Sequence, residues 1–287
     1  MRVWTRVLAA IISFECARAA QAASGVLAVG GSDATTIYAL AEFYDTGANT
    51  WTTMAAMPTA RNGLCLVDVT LGGIAGALAV GGYAPSITAV TGAAEFYDPN
   101  TNSWTTMAPM NVPRYGVAGA IATVGGVTGV LVVGGSSGSW LNTVEFYDPG
   151  ANTWTVMAPM PTTRHGLCAA PVTYGGVAGV LAVGGWNGAL QAAAEFYNPG
   201  SNSWSSLAPL PGGGNDWPSG AAITVGGVAG MLVAGGWTGG NNATAYFYDP
   251  GANSWSARAP LSLARHAAAC SIATIGGAAG SRLRRRR

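Results

Sequence analysis

The sequence contains no lysine, and only 9% of its 287 residues are charged. These charges are unevenly distributed. Five arginines stand against eleven acidic residues between Ser24 and Ser281, whereas five arginines crowd the last six positions. The body of the chain therefore lacks the basic patch of a nucleic-acid-binding protein. We expect no nucleic-acid partner, and we interpret residues 282–287 as a disordered basic tail.

Chemical groups that carry out catalysis or bind metals are equally scarce. The chain has four cysteines and two histidines, and no two cysteines have the C-x-x-C spacing of a metal site. No nucleophile–base pair, phosphate-binding loop or carboxylate dyad can be identified either. We therefore predict no catalytic residue, no metal and no cofactor.

The chain also has no apolar run of the roughly 20 residues that a membrane-spanning helix needs, so we expect no membrane span. A shorter apolar run lies near the start, between a basic N-terminus with Arg2 and Arg6 and the small-x-small triplet Ala20-Gln21-Ala22. This pattern is typical of a secretory signal peptide. We predict that residues 1–23 are such a signal, that the mature domain covers residues 24–281, and that the protein is secreted or periplasmic.

Glycine is abundant instead, with 43 residues and no collagen-like period. It belongs to a repeat of about fifty residues, a length typical of kelch-type repeats. The repeated segment reads Glu-Phe-Tyr-Asp or a close variant, begins at positions 42, 95, 145, 195 and 246, and follows a Gly-Gly pair. A tryptophan comes after each copy, at positions 51, 104, 154, 204 and 255.

Each repeat is predicted to form four short antiparallel strands. In the fourth repeat we place them at residues 165–174, 179–185, 193–197 and 203–207, with the turn Asn198-Pro199-Gly200 between the last two. The first two strands contain small residues and the last two contain the aromatic ones. This gradient fits wedge-shaped sheets around an axis, with little room inside and more outside.

The combination of Gly-Gly, the E-x-Y-D strand, the tryptophan and Met-Ala-Pro-Met-Pro-x-x-Arg at residues 157–164 resembles the kelch repeat. The resemblance covers residues 25 to about 277 and implies an all-β propeller of four-stranded blades. We predict five blades. The C-terminal strand, residues 265–275, is expected to fill the innermost position of the first blade and close the ring; a fragment of a larger ring is the alternative.

Two sets of loops are expected on one face of the ring, because in a four-stranded meander the loop between strands two and three lies beside the loop between blades. The first set carries Tyr83, Trp140, Trp186 and Trp237; the second carries Arg61, Arg114, Arg164 and Arg265. We predict all eight as ligand-binding residues, since guanidinium groups suit carboxylates and aromatic rings suit sugars or peptide side chains. A purely structural role for the arginines, bonded to loop carbonyls or a neighbouring glutamate, remains the alternative.

The repeat is irregular at one junction, where Asn215 takes the arginine position and Asp216-Trp217 follows. Tyr246 replaces the glutamate of the next repeat, and the second repeat carries a longer loop from Tyr83 to Gly92. Since departures from a repeat mark candidate asymmetric sites, Asp216 and Trp217 join the predicted ligand-binding residues. Drift in tolerant loops would produce the same irregularities.

The resemblance implies three functions. Kelch domains of adaptor proteins hold acidic peptides with arginines at the positions of Arg61, Arg114, Arg164 and Arg265, and our leading hypothesis is therefore a monomeric, non-catalytic module for an acidic peptide or protein, or a glycan. Some secreted kelch propellers are sialic acid mutarotases, which makes a sugar-active enzyme the first alternative; a passive repeat in a surface assembly is the second. Galactose oxidase is similar too, but it needs a copper site with two histidines and a Tyr–Cys link, and no matching Tyr–Cys pair is recognisable here.

Overall fold

The computed structural model describes residues 10–18, 21–33, 35–86, 89–267, 274–275 and 278–279. The described chain is all-β and forms five four-stranded antiparallel sheets, which we number in chain order. This confirms the predicted five-bladed propeller. No helix in these ranges is long and apolar enough to cross a membrane.

The strands follow the chain with their bounds as below. Sheet one contains β1 (Ala10–Arg18), β2 (Gln21–Val29), β3 (Ala41–Asp45) and β4 (Thr50–Met54). Sheet two contains β5 (Cys65–Leu71), β6 (Ile74–Val80), β9 (Ala94–Asp98) and β10 (Ser103–Met107), with the short hairpin β7 (Tyr83–Ala84) and β8 (Ala89–Val90) in its long loop. Sheet three contains β11 (Ala118–Val124), β12 (Val127–Val133), β13 (Val144–Asp148) and β14 (Thr153–Met157). Sheet four contains β15 (Cys168–Tyr174), β16 (Val177–Val183), β17 (Ala194–Asn198) and β18 (Ser203–Ser206). Sheet five contains β19 (Ser219–Val225), β20 (Val228–Ala234), β21 (Ala245–Asp249) and β22 (Ser254–Arg258), and β23 (Thr274–Ile275) pairs with β24 (Ala278–Ala279).

The size gradient in the repeat explains how the sheets pack. Small residues fill the first two strands, and the phenylalanine of the third strand lies over a glycine of the second. A Cβ on Gly129, for example, would stand 2.7 Å from the Phe146 ring. Four hydrophobic clusters lie between successive sheets and are fully or nearly fully buried. Apolar burial between neighbouring sheets is therefore the main stabilising term of the ring.

The outer tryptophans fasten each sheet to the one before it. The indole Nε1 of Trp154 donates a hydrogen bond to the Ala108 carbonyl of the preceding loop, at 2.7 Å. Nearby, Asn152 accepts from the Ala108 N–H and from the Tyr147 hydroxyl, both at 2.9 Å. Equivalent bonds join Trp104 to Ala55, Trp204 to Ala158 and Trp255 to Ala208. Each junction is thus held at its periphery by the same polar contacts.

Trp51 is the exception, because it belongs to the first sheet. Its side chain is 53% exposed, and it makes a ring contact with Tyr44 but no hydrogen bond through Nε1. Among the described residues, none of the repeated junction bonds connects sheet five to sheet one. The expectation that every outer tryptophan is packed between two sheets is therefore correct for four and wrong for Trp51.

The predicted closure by the C-terminal strand is also wrong in its position. The innermost place of sheet one is taken by β1, which pairs with β2 from Ala10↔Val29 to Arg18↔Gln21. β1 and β2 are adjacent in sequence, so their pairing closes a far shorter loop than pairing of the two chain ends would. Of the predicted closing strand, residues 268–273 lie outside the described residues.

Candidate ligand-binding face

The two predicted sets of loops do lie together on one face of the ring. The loop before each sheet pairs through its backbone with the loop between strands two and three of that sheet. Tyr83 and Asn62 exchange N–H···O bonds of 2.9 and 3.2 Å, and His165 and Trp186 do the same at 3.1 and 2.9 Å. The pairs Tyr115–Ser136 and Asp216–Trp237 repeat this geometry. We call the surface formed by these paired loops the mouth face, because it surrounds the axis of the ring.

Three of the four predicted arginines do not reach this face. Arg61, Arg114 and Arg164 are 0% exposed, and each pairs with a glutamate on the third strand of the following sheet. The N···O distances are 3.2 Å to Glu95, 3.2 Å to Glu145 and 2.9 Å to Glu195. The prediction of an exposed arginine rim is wrong for these three, and their structural role is the better interpretation.

The buried arginines hold the loops of the mouth face in place. Arg164, besides its glutamate, donates to the carbonyls of Ala182 and Ala193, both at 3.2 Å. Burial lowers the pKa of Arg164, and the neighbouring Glu195 opposes that shift. Removing one partner would leave the other charge buried without its counterion. These ion pairs thus belong to the frame of the face, and a surface ligand does not contact them.

The other two arginine positions differ. Arg265 is exposed, and its Nε bonds the Leu263 carbonyl in its own loop at 3.3 Å. At the junction of sheets four and five, Asn215 is buried and its Nδ2 bonds the Gly235 carbonyl at 2.5 Å. Since Tyr246 stands in the glutamate position there, this junction has no ion pair of the repeated kind.

The residue after each arginine position is the one that faces outward at the mouth. These residues are Asn62, Tyr115, His165, Asp216 and His266. The Tyr115 and His165 rings lie 5.9 Å apart, and the His266 ring lies 5.4 Å from Trp237. Apart from Asp216, sequence reasoning missed this set. The available signal was that the residue changes in every repeat while its arginine neighbour is almost constant.

The predicted aromatic residues are at the mouth face as expected. Trp140 is 42% exposed and its ring lies against Gly188, whose missing Cβ would stand 3.2 Å from it. Tyr83, Trp186 and Trp237 are half-buried, so that part of each ring remains accessible. Trp186 and Trp237 flank the irregular junction, the former bonded to the loop of His165 and the latter to the loop of Asp216.

An inner belt of hydrogen bonds connects the loops around the axis. Gly63, Gly116, Gly166, Trp217 and Ala267 are consecutive members, and each N–H donates to the carbonyl of the member before it, at 2.7 to 3.1 Å. All five have left-handed backbones, with φ between 50° and 65°. Glycine adopts this conformation without steric cost, whereas Trp217 and Ala267 do not.

Asp216 and Trp217 therefore occupy the centre of the face. The indole of Trp217 meets His165 edge-on with centroids 5.8 Å apart, and the Asp216 carboxylate lies over Gly166, 2.5 Å from where a Cβ would be. Hydrogen-bonding groups thus stand beside accessible indole rings. Among the described residues, no three His, Cys, Asp or Glu side chains are grouped closely enough to hold a metal ion.

Comparisons with known proteins agree with this architecture. Residues 124–161 match the kelch motif, and no curated protein matches the chain. Among 283 matching chains of solved structure, that of YjhT superposes with a TM-score of 0.70 at 15% identity, covering 94% of this chain and 88% of its own. Such a likeness concerns the fold. With its five repeated sheets and a matching motif in the third repeat, the chain is a kelch-type β-propeller.

Proposed function

We propose that the protein is a non-catalytic binding module that recognises a glycan on the mouth face. The observation that carries this proposal is the grouping of Trp186, Trp217 and Trp237 at one junction, together with Asp216 and His165. Indole rings bury the apolar face of a sugar ring, and carboxylate and imidazole groups bond its hydroxyls. The kelch propeller supplies a rigid frame for such loops.

A neutral sugar fits this surface better than an acidic peptide. Recognition of carboxylates requires accessible guanidinium groups, and three of the four candidate arginines are consumed by internal ion pairs. Arg265 alone among them is exposed, while Asp216 adds negative charge at the centre. The acidic-peptide hypothesis therefore loses its main chemical support.

A sugar-anomerising enzyme is the second candidate. It is favoured by two titratable side chains, His165 and Asp216, that both lie against the region of Gly166 and Trp217. A general acid and a general base near one sugar ring could move the protons that ring opening requires. A proton-exchange assay of sugar anomerisation distinguishes this candidate from simple binding.

Export remains part of the proposal, supported by the signal-like pattern of residues 1–23. Cleavage after Ala22 would remove β1 from sheet one. Mass spectrometry of the protein recovered from periplasm or medium tests this directly; an intact N-terminus in an exported product would contradict it.

The glycan proposal is tested by isothermal titration with galactose, lactose, cellobiose, sialic acid and an acidic peptide. We expect a neutral sugar to bind, and Trp186→Ala and Trp237→Ala each to weaken that binding at least tenfold. Trp51→Ala is the matched control, since it removes an exposed tryptophan on the outer edge. Tight binding of the acidic peptide alone, or equal affinities in all three variants, would refute the proposal.

A further inference from the structure

Trp217 is an anomaly in the belt at the centre of the mouth face. The equivalent positions in the preceding three junctions are Gly63, Gly116 and Gly166, all in the left-handed conformation. Trp217 has the same conformation, with φ of 50°, although a side chain makes it costly. Backbone strain of this kind is found preferentially at functional sites.

The side chain of Trp217 runs across the inside of the belt. Its indole approaches Gly166, the adjacent belt member, where a Cβ would stand 3.0 Å from Cε2 and Nε1. It also approaches Gly116, one member further on, where a Cβ would stand 3.2 Å from Cη2. A side chain that contacts two successive members from a third must extend over the mouth of the central channel.

The two glycines therefore form a notch that receives the indole. Both lack the Cβ that would collide with the ring, and both are buried, whereas Trp217 itself stays half-exposed. One part of the indole lies on the backbone of the notch, and the remainder is accessible from the mouth face. The loop that carries it is made of glycines at positions 212–214, all with positive φ, and has no buried arginine.

Polar and aromatic groups line the exposed side of this ring. His165 stands edge-on to the indole, Tyr115 stacks at 5.9 Å behind His165, and the Asp216 carboxylate lies over Gly166. Because Trp217 and Asp216 each occur at one junction, this arrangement exists once in the described ring. It breaks the repeat symmetry at the axis.

We propose that Trp217 is the stacking platform of a single, axial sugar subsite that closes the channel mouth. The bound ring lies on the indole, and Asp216 and His165 accept and donate hydrogen bonds to its hydroxyls. This assignment rests on the proposed glycan binding and narrows it: one sugar per propeller, centred on the axis, with Trp186 and Trp237 contacting units further out.

A structural plug is the competing explanation for Trp217, and two substitutions separate the two. Trp217→Gly restores the residue of the other junctions, and Trp217→Ala removes the indole but keeps the strained Cβ. Since glycine tolerates positive φ, we expect a higher melting temperature for Trp217→Gly than for Trp217→Ala. We also expect both variants to bind the neutral sugar at least thirtyfold more weakly, and Trp217→Phe to lose less than tenfold.

The titrations use galactose, lactose and cellobiose as probes and report stoichiometry as well as affinity. One site per chain that is lost in both Trp217→Gly and Trp217→Ala, with circular dichroism unchanged, supports the axial subsite. Wild-type affinity in Trp217→Ala, together with loss in Trp186→Ala and Trp237→Ala, overturns the subsite while leaving the glycan proposal intact. Absence of binding to every probe by the unmodified protein overturns both. If Trp217→Gly does not fold, Asp216→Asn provides the second readout: wild-type affinity in that variant would also overturn the subsite.

Discussion

Truncation of an outer tryptophan should have very different effects in sheets one and three. Trp154 is packed against the cluster between sheets two and three, contacts Tyr147 at 5.0 Å, and donates its hydrogen bond to Ala108. Trp51 keeps the aromatic contact, with Tyr44 at 5.2 Å, but has neither the bond nor the neighbouring sheet. The two residues thus form a natural pair in which the junction is the variable.

The magnitude for Trp154→Ala follows from these contacts. Burial of roughly 100 Å² of indole at about 25 cal/mol/Å² contributes about 2.5 kcal/mol, and the hydrogen bond adds about 1 kcal/mol. We expect Trp154→Ala to lower the free energy of unfolding by about 3–4 kcal/mol. Trp51→Ala should cost about 1 kcal/mol, the typical value of an aromatic pair.

Urea denaturation followed by far-ultraviolet circular dichroism measures both values, with m-values compared to confirm that the same surface unfolds. Equal losses in the two variants would refute the assignment of the tryptophans to junctions. A loss for Trp51→Ala as large as that expected for Trp154→Ala would show that sheet one has a packed neighbour in solution.

Two further predictions concern buried charge and pH. Arg164→Ala should destabilise the fold by about 3–5 kcal/mol because it leaves Glu195 buried without its partner, whereas Arg265→Ala, at an exposed position, should change stability by less than about 0.5 kcal/mol; thermal denaturation of the two variants checks the difference, and equal midpoints would contradict it. Asp68 lies on β5, and although part of its surface reaches solvent, desolvation raises its pKa to about 6. Since this folded-state value lies above the ordinary one of 3.8, the contribution is fully present below about pH 4 and is lost as the pH rises through about 6. Asp68→Asn should flatten the dependence of the melting temperature on pH across that window, and an unchanged slope would argue against it.

The fold was predictable because the repeat carries its information locally. In the fourth repeat the predicted strands agree with β15 to β18 to within a few residues, since Gly-Gly and Asn-Pro-Gly mark the turns. The largest displacement is at the start of β15, where His165 pairs with a loop instead of β16. Predicting that required knowing the neighbouring loop, which strand periodicity does not describe.

The role of the arginines was not predictable in the same way. Arg164 and Glu195 lie 31 residues apart in sequence, and the two are brought together through the meander of sheet four. A conserved pattern within a repeat is compatible with both an internal ion pair and a ligand site, because each copy has the same surroundings. Burial settles the matter, and burial depends on how the loop folds back over the sheet.

The division of labour within each repeat explains where specificity can arise. Arginine, glutamate and the Gly-Gly pair fix the backbone of the mouth face, so these positions can change little without loss of the fold. The next residue along, from Asn62 to His266, is free of that constraint and differs at nearly every junction. At the one junction where the frame itself is altered, by Asn215 and Tyr246, the belt glycine is also replaced by Trp217. Two coupled departures at one place are hard to explain by stability, since a lost ion pair and a strained tryptophan both weaken the ring. A ligand bound at that junction would compensate for such a cost, which makes the irregular junction the part of the propeller where binding should be sought first.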